Sequence, residues 1–180
     1  AADVRDGREV QRLERVIRQP GGSELKVIAG LKLARLSKAR NQKLALQYLK
    51  IAEANLEKGQ TRLAALVYTD LAILYSEAGS DNKALSALSS IEPPESVKLR
   101  TLFYQTQSLC YSRLNMHAKA AAAYQKIVRS INVKNLPDAY LLPLSNTFRG
   151  LGKMALEIRF LEVLASRYPF SEPSHAALLR

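Results

Sequence analysis

Apolar residues recur along most of the chain at intervals of three and four, the spacing that lines one face of an α-helix. Tyr68, Leu71, Ala72 and Tyr75 fall at i, i+3, i+4 and i+7, and Ala84, Leu88 and Ile91 form the matching stripe of a following segment. Runs of β-branched residues are absent and no strand is predicted. Breaks fall at helix-length intervals: Pro20-Gly21-Gly22, Gly59, Gly79, Pro93-Pro94 and Leu136-Pro137-Asp138. Glycine ends a helix by turning left-handed without a Cβ clash. Ser23 stands where an N-cap for the apolar run Leu25 to Leu36 is expected. The pattern predicts an all-α chain of about ten helices joined by short loops.

The pattern also repeats. A shift of 36 residues places Leu66 on Leu102, Tyr68 on Tyr104, Tyr75 on Tyr111, Ser76 on Ser112, Lys83 on Lys119, Ala84 on Ala120 and Ile91 on Ile127. A second shift of 36 brings Tyr104 to Tyr140 and Ala120, Tyr124 and Ile127 to Leu156, Phe160 and Val163. A looser upstream copy, offset by 39, sets Leu36, Ala45, Leu49 and Ala52 against Tyr75, Ala84, Leu88 and Ile91. One helix hairpin cannot cover its own apolar face, so copies of this kind must stack.

Tyr68-x-x-Leu71-Ala72-x-x-Tyr75 followed by Ala84-x-x-x-Leu88 resembles the tetratricopeptide repeat, as do Tyr104, Ser108, Tyr111, Ala120 and Tyr124. Tyr140, Leu144, Leu156 and Phe160 match less closely, and Pro143 is expected to kink the helix that holds it. The resemblance implies a right-handed α-solenoid of about four helix pairs, near 25–58, 60–94, 96–134 and 137–168. A charged N-terminal helix over 1–20 precedes the repeat region 23–168, and a capping or continuing helix over 171–180 follows it.

Charge adds a bias. The 180 residues hold 27 Lys and Arg against 16 acids, a net +11, and two stretches have seven bases each with no acid: Glu24 to Glu53 and Glu95 to Asp138. Such stretches favour an acidic partner surface. Chemistry is harder to find. Cys110 is the one cysteine and His117 and His175 the two histidines, too few for a Cys/His metal cluster. Pro20-Gly21-Gly22 and Gly150-Leu151-Gly152 lack the context of a phosphate-binding loop. Glu157 and Glu162 sit five apart and share no helix face. No catalytic residue, cofactor or metal is expected, and no apolar run approaches the roughly 18 residues of a membrane span.

The resemblance implies binding in a groove made by the first helix of each pair. Carried over position by position, it nominates Thr69, Ile73, Ser76 and Glu77, then Gln105, Leu109, Ser112 and Arg113, then Leu141, Ser145, Phe148 and Arg149, with Gly30, Ala34, Ser37 and Lys38 upstream. The lysine and asparagine clamp of chaperone-tail binders is missing, since Thr69, Ile73, Gln105 and Leu109 occupy its places. An apolar floor with basic edges at Lys38, Arg113 and Arg149 suits an acidic peptide or protein segment. The expected function is therefore a non-catalytic protein-binding adaptor or scaffold, with self-association through an open end as a further possibility. A nucleic-acid-binding helical repeat is the alternative, weakened because the tyrosines fall at core positions. Arg167-Tyr168-Pro169-Phe170-Ser171 and Ala176-Ala177-Leu178 look like the junction in bacterial envelope repeat proteins, among them outer-membrane assembly lipoproteins, cell-division coordinators and the helical domains of lytic transglycosylases. That likeness implies a periplasmic or envelope location over a cytoplasmic one, and allows the chain to be the helical arm of a larger envelope enzyme. The small-residue start Ala1-Ala2 would suit a processed export signal.

Overall fold

The computed structural model describes residues 2–127, 134, 136 and 138–168, with side chains from residue 7 onward. Among them are nine α-helices and no strand: α1 (Ala2–Arg18), α2 (Ser23–Lys38), α3 (Gln42–Ala54), α4 (Thr61–Glu77), α5 (Asp81–Ser89), α6 (Val97–Arg113), α7 (His117–Gln125), α8 (Asp138–Gly150) and α9 (Met154–Arg167). The helix expected over 171–180 and the junction at Pro169–Ser171 lie outside the described residues. No described helix is long and apolar enough to cross a membrane.

Helices pack in sequential pairs, α2 with α3, α4 with α5, α6 with α7 and α8 with α9. Each second helix also meets the next first helix, and the first helices α2, α4, α6 and α8 meet in succession. Among the described residues, no helix backbone approaches another more than two places along the chain. Helix α1 lies on α2 through Val10, Leu13 and Ile17, with Arg8, Glu9, Arg12 and Arg15 facing water. Tyr48 Oη of α3 donates to Glu14 Oε1 at 2.7 Å and ties α1 down from a second side. Leu33, Leu49, Leu71, Leu88, Phe160 and Leu164 are the buried large residues that recur along the core.

Three of the four pair-closing turns share one backbone form. Ser80 N–H donates to Tyr75 O and Gly79 N–H to Ser76 O; Met116 and Asn115 do the same to Tyr111 and Ser112, and Lys153 and Gly152 to Phe148 and Arg149. This is the Schellman closure, which needs a left-handed residue just past the helix. Gly79, Asn115 and Gly152 supply it with φ of 70°, 58° and 68°. The α2–α3 turn differs. Asn41 N–H reaches back four residues to Ser37 O, no residue there has positive φ, and the Asn41 side chain caps α3 by accepting from Leu44 N–H at 3.0 Å.

These turns correct the expected register. The buried small residues that let each first helix approach its partner are Ala34, Ala72, Ser108 and Ser145, so the first-helix steps are 38, 36 and 37, where 39, 36 and 36 were expected. The shorter first turn accounts for the 38, and one extra residue between α6 and α8 for the 37. A one-residue slip rotates a helix by about 100°. Two local expectations also change. Gly22, left-handed at φ 64°, is the N-cap of α2, while Ser23 is its first residue and donates to Glu57 at 2.5 Å. Helix α8 runs through Pro143 without ending, and the Pro143 carbonyl accepts from both Ser112 and Thr147 hydroxyls.

Candidate functional site

The nominated residues fall on one succession of helices, α2, α4, α6 and α8, but they do not all reach its surface. Thr69, Leu109, Ser112 and Ser145 are buried, as are Ser76, Leu141 and Phe148. In α8 the cause is the register: with a step of 37, Leu141, Ser145 and Phe148 sit at the core positions of Tyr104, Ser108 and Tyr111. Gly30 likewise faces α3, where an added Cβ would lie 2.8 Å from the Tyr48 carbonyl oxygen. Ala34 is buried at the small position against α3. Lys38, Glu77, Arg113 and Arg149 keep solvent-reaching side chains, and Ile73 and Gln105 are half-buried.

The four charged residues are all engaged. Lys38 Nζ lies 2.7 Å from Glu77 Oε1, joining α2 to α4. Arg113 turns back, donating to the Ser76 carbonyl at 2.8 Å and approaching Asp81 at 3.4 Å. Arg149 Nε bonds Glu157 Oε1 at 2.6 Å, which lets a carboxylate only 7% exposed sit in α9. Lys38 and Arg113, one from each acid-free stretch, are thus met in space by an acid from a neighbouring helix pair. In the second stretch, Lys119 and Lys126 lie over the Tyr111 and Tyr104 rings at 5.7 and 5.0 Å from their centroids.

A cleft of about 160 Å³ between α2 and α4 is lined by Ala34, Arg35, Lys38, Leu49, Asp70, Ile73 and Leu74. Ala34, Leu49, Ile73 and Leu74 form its apolar part, and Arg35 Nε donates to Asp70 Oδ2 at 2.9 Å on its rim. Arg35 and Asp70 were not nominated by the sequence reading. The available signal was their opposite charge at a separation of one repeat, the relation that Lys38 also has to Glu77. At the matching positions the later gaps hold Ile73 with Thr106 and Leu109 with Pro143, so this seam is ionic only between α2 and α4.

The remaining reactive groups are placed for packing. Cys110 is fully buried, and that burial pushes its thiol up to about 12, leaving no thiolate for nucleophilic work near neutral pH. Burial, followed by the nearby Glu77 charge, also raises Tyr140. His117 opens α7 with its ring against Gly150 of α8, its Nδ1 enclosed and without a hydrogen-bond partner. Among the described residues no group of three His, Cys, Asp or Glu side chains is arranged to hold a metal ion. What the face offers is a row of half-buried polar and apolar side chains with one open apolar cleft. No family model, curated protein or solved structure matches the chain.

Proposed function

We propose that the chain is a right-handed α-solenoid of the tetratricopeptide type, binding a segment of another protein along its first helices and acting as an adaptor or scaffold. The observation that carries this reading is the repeated Schellman turn at Gly79, Asn115 and Gly152, together with packing confined to neighbours. Like turns give these pairs a similar internal geometry, and a stack of similar pairs would leave α2, α4, α6 and α8 as one continuous inner face. Half-buried Ile73 and Gln105 with partly exposed Lys38 and Glu77 suit an extended or helical peptide.

The pairing of Lys38, Arg113 and Arg149 with acids works against the nucleic-acid alternative, because a phosphate would have to compete with a carboxylate at each. Selection from a displayed peptide library tests the main reading, with the enriched peptide's footprint read by amide hydrogen exchange. Protection is expected in α2, α4 and α6, and the double variant Lys38→Glu, Gln105→Glu should weaken binding at least tenfold. Protection confined to α3, α5 and α7 would overturn the assignment of the face. Retention on heparin that collapses between about 50 and 200 mM salt would favour nucleic acid instead.

A further inference from the structure

The cleft between α2 and α4 has the size and lining of a receptor for one side chain. At about 160 Å³, it is close to the roughly 150 Å³ apolar cavity that accepts a benzene molecule in a protein core. Unlike such a cavity it is open to the face, so an occupant can enter without unfolding. One ion pair on its rim is unevenly exposed. The Arg35 side chain is 57% exposed and its partner Asp70 only 19%, so the cation stands outward and the anion inward. Arg35 also spends only Nε on Asp70. Its two terminal nitrogens remain oriented for a second carboxylate, a geometry the planar guanidinium favours. Lys38, paired with Glu77 at 2.7 Å, also lies on this rim.

We propose that this cleft is the anchor subsite of the groove: it takes one phenyl or leucine side chain of a partner peptide, with an adjacent carboxylate of that peptide gripped by the terminal nitrogens of Arg35. The proposal rests on the protein-binding reading and sharpens it to a peptide class, an apolar anchor next to an acidic residue. Ile73 and Leu74 of α4 and Leu49 of α3 contact the anchor, and Arg35 stands beside it on the rim.

The probes are 3-phenylpropionate and 3-phenylpropylamine, which present the same ring with opposite charge, titrated to about 10 mM as befits fragment affinity and followed by amide chemical shifts. The propionate is expected to move Ala34, Arg35, Asp70 and Ile73 and to bind roughly fivefold more tightly than the amine. Arg35→Gln should erase that preference while leaving ring binding in place. Ile73→Trp should fill the cleft and abolish both, with circular dichroism reporting that the variant is folded; if it is not, the acid-against-amine comparison on the unaltered chain still decides. Equal binding of the two probes, shifts mapping elsewhere, or no shift at all would overturn the subsite. A library peptide that protects α4 and α6 in hydrogen exchange while the fragments fail at α2 would sink the anchor and keep the groove, whereas failure of both would sink the two together.

Discussion

The pairs α2–α3 and α8–α9 solve the same packing problem by opposite means. In α2–α3 the helices close on small residues: Gly30 leaves no room for a Cβ, which would lie 2.8 Å from the Tyr48 carbonyl oxygen and 3.0 Å from Ala52 Cβ. In α8–α9 the contact is filled by rings. Phe148 and Phe160 stack at 5.4 Å between centroids, and Tyr124 of α7 meets both edge-on at 5.7 and 5.6 Å. The turns follow suit, a short turn capped by Asn41 in the first pair and a glycine-closed Schellman turn in the last. A repeated fold therefore fixes the position of a helix pair but not the chemistry that closes it. The closely packed first pair is also the one whose seam with α4 is ionic and open, so the departure from the common pattern coincides with the candidate subsite.

The largest effect that separates the two pairs should come from Phe160→Ala. Phe160 is 1% exposed and at the centre of the ring cluster, and truncating such a residue costs about 3–5 kcal/mol. Denaturant unfolding should register the loss, with α7–α9 losing amide protection before α2–α3. Uniform loss of protection would mean that the stack unfolds as one unit and that the two pairs are not separable. The counterpart in the first pair is Gly30→Ala. Because the obstructing atom is a backbone oxygen, the helices must part, at about 1–3 kcal/mol, and the same substitution at Gly7, a helical glycine with nothing within 4 Å, serves as the control without a clash.

Helix content was legible in the sequence because it is written in apolar spacing. Tyr75 and Tyr111 do occupy equivalent places, each half-buried and with a carbonyl that accepts the same turn hydrogen bond, from Ser80 N–H and Met116 N–H. Register at the two ends was not legible. Nothing in Ser37 to Asn41 announces a turn one residue shorter, since the missing left-handed residue leaves no glycine to notice by its absence. A gain of one residue ahead of α8 is equally silent. The groove residues inherited those slips, which is why Ser145 and Phe148 are core. The charges misled for another reason: Lys38 and Arg35 look unopposed along the chain, while their acids, Glu77 and Asp70, arrive one repeat later.

Gly79→Ala and Gly152→Ala come next. With open space around each added Cβ, the cost is that of left-handed backbone alone, about 1–2 kcal/mol. Raising pH should cost about 1 kcal/mol per unit for each group concerned. Burial lifts Cys110 from 9.0 to about 12, and burial with the Glu14 hydrogen bond lifts Tyr48 from 10.0 to about 12. A folded pKa above the unfolded one means stability is full below the unfolded value and is lost as pH climbs toward the folded one. Urea titrations should therefore show a decline from about pH 9 to 12 for Cys110 and from about 10 to 12 for Tyr48. Tyr48→Phe should lessen the loss above about pH 10 and leave its onset near pH 9 unchanged. A decline unaltered by that change would place the alkaline sensitivity elsewhere.

The smallest effect is the most specific to the turn. Asn115 is the one non-glycine residue with positive φ among the described residues, at the place that Gly79 and Gly152 fill in neighbouring pairs. Asparagine tolerates this conformation better than other L-residues but not without cost. Glycine relieves the backbone and gives back part of the gain by loosening the unfolded chain. Asn115→Gly should thus stabilise by a few tenths of a kcal/mol and Asn115→Ala destabilise by about 1 kcal/mol. Arg40→Gly, in the shorter first turn where backbone φ stays negative, should only destabilise, because no strain is there to relieve. The opposite signs of two substitutions to the same residue, 75 positions apart, would separate the two turn types by thermal unfolding alone. A gain at Arg40 equal to that at Asn115 would show that the first turn also needs a left-handed residue, and the distinction between the pairs would then reduce to Gly30 against the rings.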